Sequence, residues 1–77
     1  MARNTVITIA AEMVANVMSV AVKQGDQVAV GDTVVLLESM KMEIPVLVDA
    51  PGTVSAVKVA TGDVVQEGDV LVEITPA

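Results

Sequence analysis

The 77 residues include no histidine and no cysteine, so imidazole base catalysis, thiolate nucleophiles, disulfides and zinc clusters have no side chains to build on. What remains for chemistry is a primary amine. Lys41 stands between Met40 and Met42, with Glu38 and Glu43 just outside them, where an ordinary turn would use Gly, Asn or Asp. On these residues alone two readings stay open. A hairpin lysine can be plain solvated surface, with the methionines as core or edge packing. Alternatively, a single amine held at a protruding tip, away from Lys23 and Lys58, is well placed for acylation by a modifying enzyme.

The elements that must hold such a tip are written in the composition. Valine occurs 18 times, the β-branched total with Ile and Thr is 28, and 53% of the chain is hydrophobic without one Phe, Tyr or Trp. Such a chain favours pleated, half-buried strands and a core of many small side chains, so an all-β fold is expected. Its length allows one domain, residues 1–77 with a core over about 5–75,. Ten acids against four bases, a net charge of −6, remove the electrostatic footing for nucleic acid or an anionic membrane. No run approaches the roughly 20 apolar residues of a membrane span. Glu12 and Asn16 interrupt the stretch from Val6 to Val22, which therefore does not read as a signal peptide, and a cytoplasmic protein is expected.

Offset by 37 residues, Val20–Asp32 falls on Val57–Asp69, with Gly25-Asp26, Gly31-Asp32, Gly62-Asp63 and Gly68-Asp69 in register. Two repeats are too few for a solenoid and predict internal pseudo-two-fold symmetry. Each Gly-Asp pair lies between apolar runs and reads as turn chemistry, glycine supplying a positive φ and aspartate bonding nearby N–H groups. The spacing lacks the clustered acids of a calcium loop, so no metal is expected. Thr33, Val35 and Leu37 alternate with Val34, Leu36 and Glu38, and Val70, Val72 and Ile74 alternate with Leu71 and Glu73. Met42, Ile44, Val46 and Val48 form a similar stripe that meets Thr5, Ile7, Ile9 and Ala11 at the repeat offset,. Pro45, opposite that stripe, predicts an edge strand. The apolar phase slips between Val17 and Val20 and between Val54 and Val57, as bulges would make it.

Eight strands are predicted, near 5–10, 15–22, 27–29, 33–38, 42–48, 52–59, 64–66 and 70–75. Two curved, four-stranded antiparallel sheets would bury the stripes as a flattened β-barrel or sandwich. The symmetry then sets the turn around Ser39-Met40-Lys41 at the end opposite the chain termini.

Glu38-Ser39-Met40-Lys41-Met42-Glu43-Ile44-Pro45-Val46 resembles the attachment motif of biotinyl domains, the carriers of biotin-dependent carboxylases, in which the lysine of a Met-Lys-Met tip bears biotin. The resemblance extends to the Gly-Asp punctuation, to Ala50-Pro51-Gly52-Thr53-Val54 and to Gly62 through Ile74. It implies the biotinyl/lipoyl fold, a flattened barrel with pseudo-two-fold symmetry, and a non-catalytic carrier protein. It further implies that Lys41 is the covalent attachment residue, that Met40 and Met42 present it, and that Glu38 and Glu43 are candidates for ligase recognition, hairpin solubility being the other account of them. The implied partners are a biotin protein ligase, which would form the amide, and the biotin carboxylase and carboxyltransferase between which the carrier would shuttle carboxyl groups. Amide formation leaves three bases against ten acids, a net charge of −7,.

The chain departs from the family in reading Glu12-Met13-Val14-Ala15-Asn16 where many members have a Pro-Met-Pro-Gly-like turn. It also lacks the thumb insertion of some bacterial carriers and has Ser39 where alanine is frequent. The same fold bears lipoate in carriers of 2-oxo acid dehydrogenases and the glycine cleavage system, whose usual tip resembles Asp-Lys-Ala, so a lipoyl carrier is the alternative. An unmodified β interaction module is the third.

Overall fold

Alternating β-branched residues become strands wherever a Gly-Asp turn releases the chain back toward the core. The computed structural model describes residues 6–77; Thr5, expected at the start of the first strand, and Arg3 lie outside them. The strands are β1 (Ile7–Ala10), β2 (Ala15–Val20), β3 (Gln27–Val28), β4 (Thr33–Ser39), β5 (Met42–Leu47), β6 (Gly52–Val57), β7 (Val64–Val65) and β8 (Val70–Pro76). They form two four-stranded antiparallel sheets, ordered β1-β8-β6-β3 and β5-β4-β2-β7. The expected all-β architecture of two such sheets is the one observed.

The 37-residue offset survives in the register. Ile7 pairs with Ile74 as Ile44 pairs with Leu37, and Ala15 pairs with Val65 as Gly52 pairs with Val28. Each sheet draws two strands from each half of the chain, so neither half owns a sheet. Between the sheets lie Val17, Val34, Val35, Leu37, Val54, Leu71, Val72 and Ile74, none more than 2% exposed. Burying a side chain of that size contributes about 1.5–3 kcal/mol, so the core rests on many equal parts and no single large residue.

Four turns tie the halves together. In Lys23–Asp26, Ala29–Asp32, Ala60–Asp63 and Gln66–Asp69 the aspartate N–H donates to the carbonyl of the first residue at 3.0 Å. The first residue's N–H in return donates to the aspartate Oδ2 at 2.8–3.0 Å. The third residue is glycine at φ between 92° and 97°, as a type II turn requires. Each glycine N–H then donates across to the other half, from Gly25 to Val54, Gly31 to Val48, Gly62 to Val17 and Gly68 to Ala11, at 2.8–2.9 Å. The aspartates spend a carboxylate oxygen on their own turns, which accounts for the Gly-Asp dipeptides as structure.

The strands end earlier or later than expected by one to two residues, and β2 and β6 stop at Val20 and Val57 where 22 and 59 were expected. Beyond those points the chain turns away, although Ala21 and Lys58 still donate to Val34 and Leu71. The expected bulges are present at Val17/Ser19 and Val54/Ala56. A second pair, at Thr33/Val35 and opposite Val70/Val72, corrects the predicted alternation. Val34 and Leu71, which strict alternation sets on the face opposite Val35 and Val72, are wholly buried like them, because each is the extra residue of a bulge and the two-residue period breaks there. No helix among the described residues is long and apolar enough to cross a membrane.

Candidate functional site

β4 and β5 are joined by the shortest connection an antiparallel pair can use. Ser39 pairs with Met42, leaving Met40 and Lys41 as a two-residue loop, one residue tighter than the turn read from sequence. Both loop residues have positive φ, 53° for Met40 and 64° for Lys41, the geometry of a type I′ hairpin that Asn-Gly normally fills. A non-glycine residue in this left-handed region costs about 1–2 kcal/mol. Two adjacent ones, where glycine takes the positive φ in each of the four Gly-Asp turns, mark a tip shaped for something besides turning.

The side chains there stand in solvent. Met40 is 92% exposed and Met42 62%, and Lys41 is exposed beside them. Met42 occupies the core-side face of β5, one step beyond Ile44 and past the end of the sandwich, so its thioether has no core to enter. On the outer face Glu38 and Glu43 lie directly opposite one another, half-buried and exposed respectively. Like charges in that position destabilise a strand pair, so they do not serve hairpin stability; they make one flank of the amine acidic. Across β4, Glu38 is also paired with Asn16 of β2. The hairpin therefore stands on β2, which holds it to the body of the sheet, while β5 is an edge that accommodates Pro45,.

The structure thus brings all five predicted site residues, Glu38, Met40, Lys41, Met42 and Glu43, onto one hairpin end. It also reveals a feature invisible in the linear chain. A groove of about 330 Å³ runs between the edge strands β1 and β5, floored by Ile7, Ile9, Leu37, Ile44 and Val46 and rimmed by Glu12 and Met13 among others. Its two walls come from different sheets and from segments a full repeat apart, so no local pattern announces it. Among the described residues no group of three or more acidic side chains is placed to hold a metal ion.

A family model described as "Biotin-requiring enzyme" matches residues 6–74. The chain is 57% identical to a biotinylated protein TB7.3 homolog of Mycobacterium leprae over 84% of this chain and 92% of that one. It is 49% identical to a biotin/lipoyl attachment protein of Bacillus subtilis over 90% of this chain and 94% of that one. Among solved structures, a single-chain, multi-domain long-chain acyl-CoA carboxylase superimposes with a TM-score of 0.89 at 27% identity. That match covers all of this chain and 8% of the carboxylase, so the likeness is to a small portion of a much larger polypeptide.

Proposed function

Because the chain belongs to the biotin/lipoyl family of biotin-requiring enzymes, we propose that it is a biotin carboxyl carrier in which Lys41 is the attachment residue. The observation that carries this reading is the exposed amine on a two-residue, left-handed tip between two solvent-exposed methionines. The tip fits the group. An amine acylated by a ligase must be reachable on all sides, and the two-residue loop leaves no neighbouring backbone to shield Lys41. Bound biotin would supply a ureido nitrogen able to accept and release a carboxyl group.

The chain's own residues present and deliver. Met40 and Met42 flank the amine with flexible apolar surface that can pack against a ligase or carboxylase. Glu38 and Glu43 offer an acidic flank to a cationic docking patch, which speeds encounter more than it tightens binding. A lysine with a biotinyl chain spans roughly 15 Å by standard bond lengths. Tethering in that way raises the local concentration of the carried group at each partner site. The proposed partners are a biotin protein ligase, a biotin carboxylase and a carboxyltransferase, and the carrier itself catalyses neither transfer.

Intact mass and peptide mapping after coexpression with a functional biotin protein ligase test the assignment. A gain of about 226 Da on Lys41 is expected, and none in Lys41→Arg, whose guanidinium keeps the charge but is not acylated the same way. Both proteins should melt within about 0.5 kcal/mol of each other, since the side chain is exposed. Biotin on the arginine variant would overturn the assignment, and a gain of about 188 Da would make the protein a lipoyl carrier.

A further inference from the structure

We infer that the β1–β5 groove is a resting site for the biotinyl arm of the same molecule, with the Glu12 carboxylate accepting a hydrogen bond from one ureido N–H; this rests on the carrier reading of Lys41.

Reach comes first. Ile44, the groove residue of β5 nearest the tip, follows Lys41 by three positions, roughly 10 Å along a strand. An arm of roughly 15 Å therefore brings its head to Ile44. It cannot reach the far end at Asp49, roughly 27 Å along the same path. The opposite wall also comes toward the tip. Glu12 and Met13 lie in the connection from β1 to Ala15, and Ala15 precedes Asn16, the partner of Glu38 near the hairpin end. The groove thus has a mouth at the tip, with Ile44 on one side and Glu12 and Met13 on the other.

Chemistry comes second. A free lysine ammonium has no reason to lie along Leu37 and Ile44, but amide formation removes the charge and adds an alkyl chain and a sulfur-containing ring. That arm matches a floor of Leu37 and Ile44 and the thioether of Met13, which adapts to irregular apolar shapes. The head carries ureido N–H donors that diverge from its ring, so a carboxylate beside it accepts from one of them, in a charge-assisted bond stronger than a neutral one. Of the two acids that line the groove, Glu12 and Asp49, Glu12 is the one on the tip side, and it stands where the sequence leaves the family's pattern.

Methyl-resolved NMR of the protein before and after ligase loading tests the site, with intact mass first establishing that the biotin is present. Loading should shift the Ile44 and Met13 methyl signals, leave Ile7 at the far end unmoved, and give Overhauser contacts from the biotin ring to Ile44. Glu12→Ala should release the arm, raising the rate of streptavidin capture about tenfold, the loss of a charge-assisted hydrogen bond. Shifts confined to residues 40–42, together with a capture rate indifferent to Glu12→Ala, would overturn the resting site while leaving the carrier reading intact. Should Glu12→Ala unfold, the Overhauser contacts of the unaltered protein still decide. Absence of the mass gain overturns the carrier reading itself, and the resting site with it.

Discussion

At the scale of single residues, the tip sets its proposed role against local stability. Met40 contributes almost nothing to packing at 92% exposure, yet holds a φ of 53° that asparagine adopts far more readily. Met40→Asn is therefore expected to stabilise the fold by about 1 kcal/mol, seen as a rise of roughly 4–8 °C in melting temperature, while slowing the proposed modification of Lys41. An unchanged or lower melting temperature would mean the methionine is not strained there. Ser55 is a second conflict, with a buried hydroxyl that has no hydrogen-bond partner. Ser55→Ala should gain roughly 1 kcal/mol in urea denaturation, because an unpaired buried hydroxyl costs about that much. The proposed site residues stood out in the sequence because Met-Lys-Met is so poor a choice for a hairpin. The face each occupies was not, since the exposure of Met42 depends on where the sandwich ends, which a stripe of apolar residues does not state.

At the scale of elements, turns were easier to read than bulges. Gly-Asp carries its own mechanism, a positive φ and a carboxylate returning to the chain, and all four pairs realise it. Bulges leave only a phase slip, which was visible where Val17 and Val20 straddle one and hidden where Val34 and Leu71 are as apolar as their neighbours. Gly52 is a different kind of glycine. A Cβ there would sit inside contact distance of the Thr75 carbonyl oxygen and 2.6 Å from Ile74 Cγ2, so β6 and β8 approach more closely than a side chain permits. Its repeat partner Ala15 bears a Cβ and is still buried, which is why symmetry alone did not single out Gly52. Gly52→Ala should destabilise by about 1–3 kcal/mol through overpacking, read as a lower urea midpoint with unchanged slope. A neutral effect would show that the β6–β8 contact yields freely.

At the scale of the molecule, the exchange of strands between halves determines how stability is shared. Within the first half only β2 and β4 pair with each other, and within the second only β6 and β8, apart from the β4–β5 hairpin that joins the halves. A lone two-stranded pair is marginal in water, so neither half retains a structure into which the other could unfold by itself. The tip is therefore anchored in a sheet that should open only when the whole barrel does, which suits the proposed carrier role. Native-state hydrogen exchange puts this to the test. In Gly52→Ala, which alters the β1-β8-β6-β3 sheet, the amides of Val17 and Leu37 in the opposite sheet should lose the same opening free energy as that of Ile74, equal to the loss measured by urea. Protection that falls at Ile74 and persists at Leu37 would mean that the sheets open separately, and that the strand exchange read from the repeat does not make the fold cooperative.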